Sequence, residues 1–536
     1  MTSPATNRGQ AYWADDIAGQ QVGPQVVNDS KTPSGTVHVG SLRGVVLHDA
    51  IRRAIAERGT EVEFRYGVED LDPMDNQAML SGDAIEQYMG MPLANVPAPE
   101  GSGQPNYARH FATIFLETFA DLGIRPTLYW ASDNYGSGAM DPYITKALDH
   151  ADVILDIYRT VSTVTHPTGW LPISVICENC GKIGTTAARD WDGATVAYDC
   201  RPDLVTWATG CGVSGRVSPF GGRAKLVWNV DWAARWGLVG ATIEGCGKDL
   251  ATAGGSRDRA DAISRRVFER EPPLNIPYEF LNIGGKKMST SKGTGAAAHE
   301  VAELLPPNQL RFLFLRHRPN RALDFDPNGD TLPRLFDDYD RIADSVAGRP
   351  TRGELPPDSE RIFALSLADP AADPVKVAAQ YRPPFGHLSL LLQVPGTDVR
   401  ERLNTEKGSP LNADEQAVAN ERIAAAQLWL EEFAPDTARF VIATDGLPAA
   451  AAVLTADQKR YLGMLAVTAR TNSPVNGEAW QGLIFETAKG NGFAPAQAFT
   501  ALYLAFMGRT NGPRAGWLLA SLDTAFVIGR LEEAAQ

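Results

Sequence analysis

The segment TPSGTVHVGSLRG, Thr32 to Gly44, sets a Pro33, Ser34, Gly35 turn ahead of His38, Gly40 and Ser41, where a run with helical apolar spacing begins. An imidazole at a helix start can donate to phosphate oxygens, and glycine there lets a nucleotide approach the backbone closely. The helix N-terminus adds partial positive charge of its own. The segment is a candidate nucleotide site.

A second segment, GGKKMSTSKG, Gly284 to Gly293, gathers Lys286, Lys287 and Lys292 with Met288 and the hydroxyls of Ser289, Thr290 and Ser291. Bracketed by glycines, such a loop can close on a triphosphate, stabilise charge that builds in a transition state, and reopen. No G-x-x-x-x-G-K-[ST] occurs, so neither segment is a P-loop. A third group suggests a metal. Cys177 and Cys180 have zinc-knuckle spacing, and Cys200 with Cys211 could complete a four-thiolate structural zinc site, although ten residues rather than two separate that pair.

These groups need a scaffold. Residues 38 to 58 carry Leu42, Val45, Val46, Ala50, Ile51, Ala54 and Ile55 at helical spacing up to Gly59, VEFRYGV then reads as a strand, and the acidic EDLDPMD follows as a loop at its carboxyl end. That order belongs to a doubly wound nucleotide-binding unit, whose ligands sit beyond the carboxyl ends of the strands. The Pro- and Gly-rich stretch of about 90 to 225 reads as an insertion, and 226 to 290 as the return of the sheet. Beyond about 345 the periods are helical. The expected organisation is an α/β catalytic domain over 1–345 and an all-helical domain over 346–536, with GELPPDSE as linker.

The pairing of PSG-x-x-H-x-G with a late K-M-S-x-S resembles the HIGH and KMSKS signatures of class I aminoacyl-tRNA synthetases, with Ser41 and Thr290 as the departures. WNVDWAARW (Trp228 to Trp236), GKDL (Gly247 to Leu250), IPYEF (Ile276 to Phe280) and KMSTSKG are similar to the lysyl branch of that class. The resemblance implies a Rossmann-like parallel-sheet catalytic domain, an inserted zinc-ribbon-like subdomain and an all-α anticodon-binding domain. It also implies ATP with Mg2+ as cosubstrate, lysine as amino acid and tRNA as acceptor. His38, Lys287 and Lys292 would then stabilise charge, and the amino acid would meet Thr32, Trp228 and Tyr278.

Where this branch commonly has Gly, Glu and His, the chain has Ser30, Gly44 and Leu250. A carboxylate and an imidazole are thereby lost, and Asp70, Asp72 or Glu69 of the acidic loop would have to receive a substrate ammonium. Alternatives are a paralogue charging another amino acid, or a weakly catalytic tRNA-binding or regulatory protein.

The formal net charge of −14 argues against nonspecific coating of nucleic acid. RFLFLRHRPNR, with Arg311, Arg316, Arg318 and Arg321, reads either as a local basic track for one folded RNA or as a solvated helix face. No uninterrupted apolar run of about 18 residues occurs. The N-terminus is polar and acidic, and five cysteines are too few for a disulfide scaffold. A reducing cytoplasm is the expected location, with no membrane partner.

Overall fold

The computed structural model describes residues 12–75, 83–284, 286–287 and 297–536, with backbone alone at 83–84 and 286–287. After helix α1 (Trp13–Gly19), strand β1 (Gln25–Lys31) leads through helix α2 (Gly40–Glu57) to β2 (Val62–Val68). Helix α3 (Tyr107–Asp121) leads to β3 (Thr127–Trp130), and the three strands pair in parallel in the order β1-β2-β3. On the other side of β1, parallel bridges join Val27 to Ile243 and Ile243 to Leu274. The chain therefore winds outward in one direction and then returns beside β1. That reversal is the crevice where ligands bind in doubly wound sheets.

Local sequence explains α2. All seven apolar residues that define its period are buried, and the helix ends just before Gly59, whose φ of +77° is a left-handed conformation that costs glycine little. The same helix also buries Arg43, His48, Asp49 and Arg53. Arg43 donates to the carbonyls of Glu279, Phe280, Pro319 and Arg321 at 2.7–3.0 Å. Asp49 meets Arg53 and Arg311 at 2.8 Å each. Arg311, on helix Pro307–Leu315, is thus a buried structural cation and belongs to neither a solvated face nor an RNA track; Arg318 and Arg321 are exposed.

The sequence reading placed β3 inside an insertion. Its TLYW is short and half exposed, which hides a core strand behind a Pro- and Gly-rich stretch. The antiparallel elements begin later. Strands β4 (Ile173–Val175) and β8 (Ala224–Leu226) pair with each other, and β5 (Thr186–Arg189), β6 (Val196–Cys200) and β7 (Ser214–Val217) form a separate sheet in that order. Then come α4 (Trp228–Val239) and α5 (Ser256–Arg266). Strand β9 (Leu281–Ile283) pairs with β10 (Lys286–Lys287) and with β11 (Leu323–Phe325).

The chain divides into two compact units, Met1–Phe325 with Gly353–Pro374, and Asp326–Arg352 with Val375–Gln536. The break expected near 345 falls within helix Thr331–Val346, and GELPPDSE opens a segment that belongs with the first unit, its helix Ser359–Ser366 receiving Arg311 at the Leu365 carbonyl. Every regular element described in the second unit is helical. Capping boxes at Asn412 with Glu415 and at Thr455 with Gln458 start two of its long helices, and Arg422 grips Asp340 through two hydrogen bonds.

Replacing Asp49 with Ala leaves two buried guanidinium groups without their carboxylate. Loss of one partner from a buried ion pair costs about 3–5 kcal/mol. We expect a clearly lower urea midpoint for the first unit in Asp49→Ala, and a midpoint equal to that of the unsubstituted protein would refute the role assigned to this cluster.

Candidate active site

A cavity of about 220 Å³ opens at the winding reversal. Its walls are the end of β1 (Asp29, Ser30, Lys31, Thr32), the segment Glu244 to Gly247, Trp228, Trp232 and Arg235 of α4, and Glu69, Leu250 and Tyr278. A larger depression of about 650 Å³ lies at the amino ends of β2 and β3 and contains no residue of the motifs. The smaller one is the candidate site, because the carboxyl ends of the strands converge there.

The Pro33, Ser34, Gly35 turn leaves β1 beside this cavity, and Gly35 at φ +147° holds a conformation that side chains rarely adopt. His38 lies just before α2, half-buried, and its carbonyl accepts from Ser41 N at 3.0 Å. His38 also forms an antiparallel bridge to Ala297. Strand β10 carries Lys287 into the lysine-rich segment on one side, and Ala297 receives the chain on the other. The backbone just after the second motif is thereby held beside the first. Met288, Ser289, Thr290, Ser291 and Lys292 lie outside the described residues.

Of the residues expected to meet the amino acid, Thr32, Trp228 and Tyr278 all line the cavity. Trp228 stacks on Trp232 with centroids 5.4 Å apart and planes at 12°, giving an aromatic wall. Asp70 and Asp72 do not line it. Asp70 accepts from the backbone N and the hydroxyl of Ser132 at 2.8 and 2.5 Å, and Asp72 accepts from Thr32 Oγ1 at 2.5 Å and Lys225 Nζ at 2.8 Å. Both carboxylates are committed to holding the loop, so neither is available as the expected ammonium partner.

Sequence reasoning missed what holds that loop. Lys225 on β8 and Arg235 on α4 face the carboxylates of Glu69, Asp72 and Asp231 in one knot, buried except for its half-buried edge at Asp72. Tyr135 adds its hydroxyl to Asp231 at 2.5 Å. Asp231 and Arg235 stand four apart in WNVDWAARW, and charges at that spacing in an apolar helix were the legible sign. Three carboxylates against two cations leave surplus negative charge. Burial raises the Glu69 carboxyl to about 7, with Arg235 opposing and Asp231 reinforcing the rise. Asp231 stays ionised despite burial because Lys225 and Arg235 hold its proton affinity down.

The cysteines meet as well. The Sγ atoms of Cys177, Cys180, Cys200 and Cys211 all lie within 4.8 Å of one another. The wide second spacing is no obstacle, because β6 and β7 pair Asp199 with Ser214 and loop out the residues between, bringing Cys211 N to 3.3 Å from Cys200 Sγ. None of the four lines the cavity.

Because Glu69 in the folded protein titrates above an ordinary glutamate, the folded state keeps a proton that the unfolded chain releases near pH 4.5. Its contribution to stability is complete below that pH, is lost as pH rises to about 7, and is flat above, with a slope of up to about 1.4 kcal/mol per pH unit. Urea midpoints measured from pH 4.5 to 7.5 should show this decline relative to Glu69→Gln; parallel curves for the two proteins would count against it.

Residues 12–368 match the family described as tRNA synthetases class I (K). The chain is 32% identical to "Lysine--tRNA ligase" of Methanosarcina barkeri over 98% of its own length and 97% of the relative's. It is 33% identical to "Lysine--tRNA ligase 1" of Methanosarcina acetivorans, covering 98% of each chain. The protein of that function from Archaeoglobus fulgidus is 33% identical, over 98% of this chain and the whole of that one. With its crevice at the winding reversal and a family match that spans residues 12–368, the chain belongs to the class I tRNA synthetase (K) family.

Proposed function

We propose that the chain is a lysine–tRNA ligase, which activates lysine with ATP as lysyl-adenylate and esterifies it to tRNA(Lys). The observation that carries the reading is the cavity itself. It is of amino-acid size, walled by Trp228 and Tyr278 for an aliphatic stem, and opens beside the His38 turn. The names of the three relatives, matched over nearly their whole lengths, support the same choice.

In this reading the lysine α-carboxylate attacks the α-phosphorus of ATP in line, and the bond to the bridging oxygen breaks to release pyrophosphate. Pro33, Ser34, Gly35, Gly40 and Ser41 receive the nucleotide, while His38, Lys287 and Lys292 stabilise the charge that grows on the phosphate oxygens. Met288, Ser289, Thr290 and Ser291 also take part in binding ATP. Magnesium, when bound, neutralises charge on the triphosphate. The adenylate then passes to the 2'-hydroxyl of the terminal ribose, AMP leaves, and the helical region beyond 346 reads the anticodon bases. The setting is the cytoplasm. Cys177, Cys180, Cys200 and Cys211 hold one structural zinc, whose tetrahedral preference suits four converging thiolates.

A second reading, a paralogue for another amino acid, draws on the presence of Leu250 and the Lys31 ammonium in the cavity wall. Amino-acid-dependent pyrophosphate exchange across the twenty amino acids decides between them. Lysine should be the strong responder, and robust exchange with another amino acid alone would transfer the assignment to the paralogue.

Two further outcomes are expected. His38→Ala and Lys287→Ala should each slow single-turnover adenylation by about a hundredfold, equivalent to about 3 kcal/mol of transition-state stabilisation, while leaving tRNA affinity near its starting value. Rates within threefold of the parent protein would remove both from the mechanism. Protein purified without chelator should carry close to one zinc per chain, lost together in Cys177→Ser and Cys200→Ser. A zinc content near zero in the parent protein would withdraw the metal site.

A further inference from the structure

The substrate's side-chain ammonium needs an acceptor inside the cavity, and the cavity offers three carboxylates, Asp29, Glu69 and Glu244. Two are already spent. Glu69 is paired with Arg235 and lies 3.9 Å from Lys225. Glu244 Oε1 accepts from Trp232 Nε1 at 2.6 Å, and its Oε2 accepts from Asn28 Nδ2 at 2.7 Å and Trp236 Nε1 at 2.9 Å.

Asp29 differs. Its Oδ1 accepts from the backbone N of Ser30 at 2.8 Å, and its Oδ2 faces His48 Nδ1 at 3.4 Å. That imidazole nitrogen already points to the Gly44 carbonyl at 2.7 Å, and Nε2 of the ring accepts from Gly245 N at 2.8 Å, the pattern of the Nδ1–H tautomer; burial opposes a charge on the ring, and the Asp29 carboxylate raises its proton affinity. Among the described residues no lysine or arginine nitrogen lies within 4 Å of Asp29. Glu244 likewise has no such nitrogen within 4 Å among the described residues, but three N–H donors fill its two oxygens, whereas Asp29 Oδ2 faces only the His48 ring and is the acceptor in the cavity wall with room for a further donor.

Gly44 explains why that carboxylate has room to act. A Cβ at position 44 would lie 2.6 Å from the Tyr278 hydroxyl and 3.0 Å from Asp29 Oδ2, so both oxygens converge on the space that the missing side chain leaves. A phenolic oxygen and a carboxylate oxygen converging in a half-buried cavity are what an ammonium requires, since it must replace its lost water with directed acceptors. Lys31 stands two residues along the same strand face, nearer the carboxyl end where the nucleotide motif begins. A negative group and, two residues further along the same wall, a positive group would orient a zwitterion with its side-chain ammonium toward Asp29 and its carboxylate toward ATP.

Resting on the lysine reading given above, we propose that Asp29, together with the Tyr278 hydroxyl, is the specificity determinant that receives the substrate's side-chain ammonium. The assignment covers a residue that neither nucleotide motif contains. It also explains how a pocket with glycine at position 44 can still select a cation.

The test compares lysine with norleucine, which keeps the stem and lacks the terminal charge, in pyrophosphate exchange by the full-length protein and its Asp29→Asn and Tyr278→Phe variants. Asp29→Asn should raise the lysine KM by about a hundredfold and shrink the preference for lysine over norleucine by a similar factor, with the ATP KM within threefold. Tyr278→Phe should shift the same preference by about tenfold. A purely structural role for Asp29 would lower activity with both amino acids alike, and that result overturns the proposal, as does a lysine KM unchanged in Asp29→Asn. If the parent protein exchanges with lysine while the variants behave in either of those ways, the lysine reading survives alone. If the parent protein ignores lysine, both fall.

Discussion

The geometry of the crevice depends on gathering five charged groups in one place, four of them buried. Lys225, at the end of the antiparallel insertion, and Arg235, on α4, converge on Glu69 and Asp72 of the acidic loop and on Asp231 of α4. Removing such charges from water is expensive, and only close mutual pairing with full hydrogen bonding makes the arrangement tolerable. The consequence is positional. Three stretches far apart in the chain can satisfy their charges only in one relative arrangement, and that arrangement puts Glu69 and Arg235 in the wall of the cavity while Thr32 is held by Asp72. The insertion is therefore a working part of the site, since its last strand supplies the cation that fixes the loop.

Helix α2 performs the corresponding task for the nucleotide side. Its apolar face packs into the core, and its buried Arg43 collects four carbonyls from residues 279–280 and 319–321, which lead into β9 and β11. A guanidinium has five N–H donors in a fixed plane, so four carbonyls gathered on one such group cannot drift independently. His38 at the head of α2 and Lys287 on β10 are consequently referred to the same rigid anchor, even though they are distant in sequence.

What the sequence made legible follows from the kind of signal each feature leaves. Helix α2, strand β2 and the helical second unit announce themselves by period, because one face or one stripe must be apolar. The cavity walls Thr32, Trp228 and Tyr278 were reachable through motif resemblance. Strand β3 was not, since TLYW is too short and too exposed to show alternation. The role given to Asp70 and Asp72 followed topology correctly to the right edge of the sheet. It failed to reach the cavity because side-chain direction within a loop is set by partners, Ser132 for one and Thr32 with Lys225 for the other, that lie 62, 40 and 153 residues away. The cysteine cluster shows the reverse case, where a spacing that looked degraded is repaired by strand pairing between β6 and β7.

Position-by-position reading has a particular weakness at a pocket. It records Gly44 as the loss of an acidic side chain from α2, whereas the folded chain brings the Asp29 carboxylate to the same small volume from β1, with the Tyr278 hydroxyl beside it. Two elements that pack face to face can each deliver a side chain to the space between them. A ligand responds only to the charge found there and to its hydrogen-bond geometry. A departure from a motif is therefore evidence about the site only after the neighbours of the altered position are known. In this chain those neighbours are a strand residue and an aromatic hydroxyl within 3.0 Å of where the missing Cβ would stand, so the electrostatic requirement for a cationic substrate can be met without the family's residue.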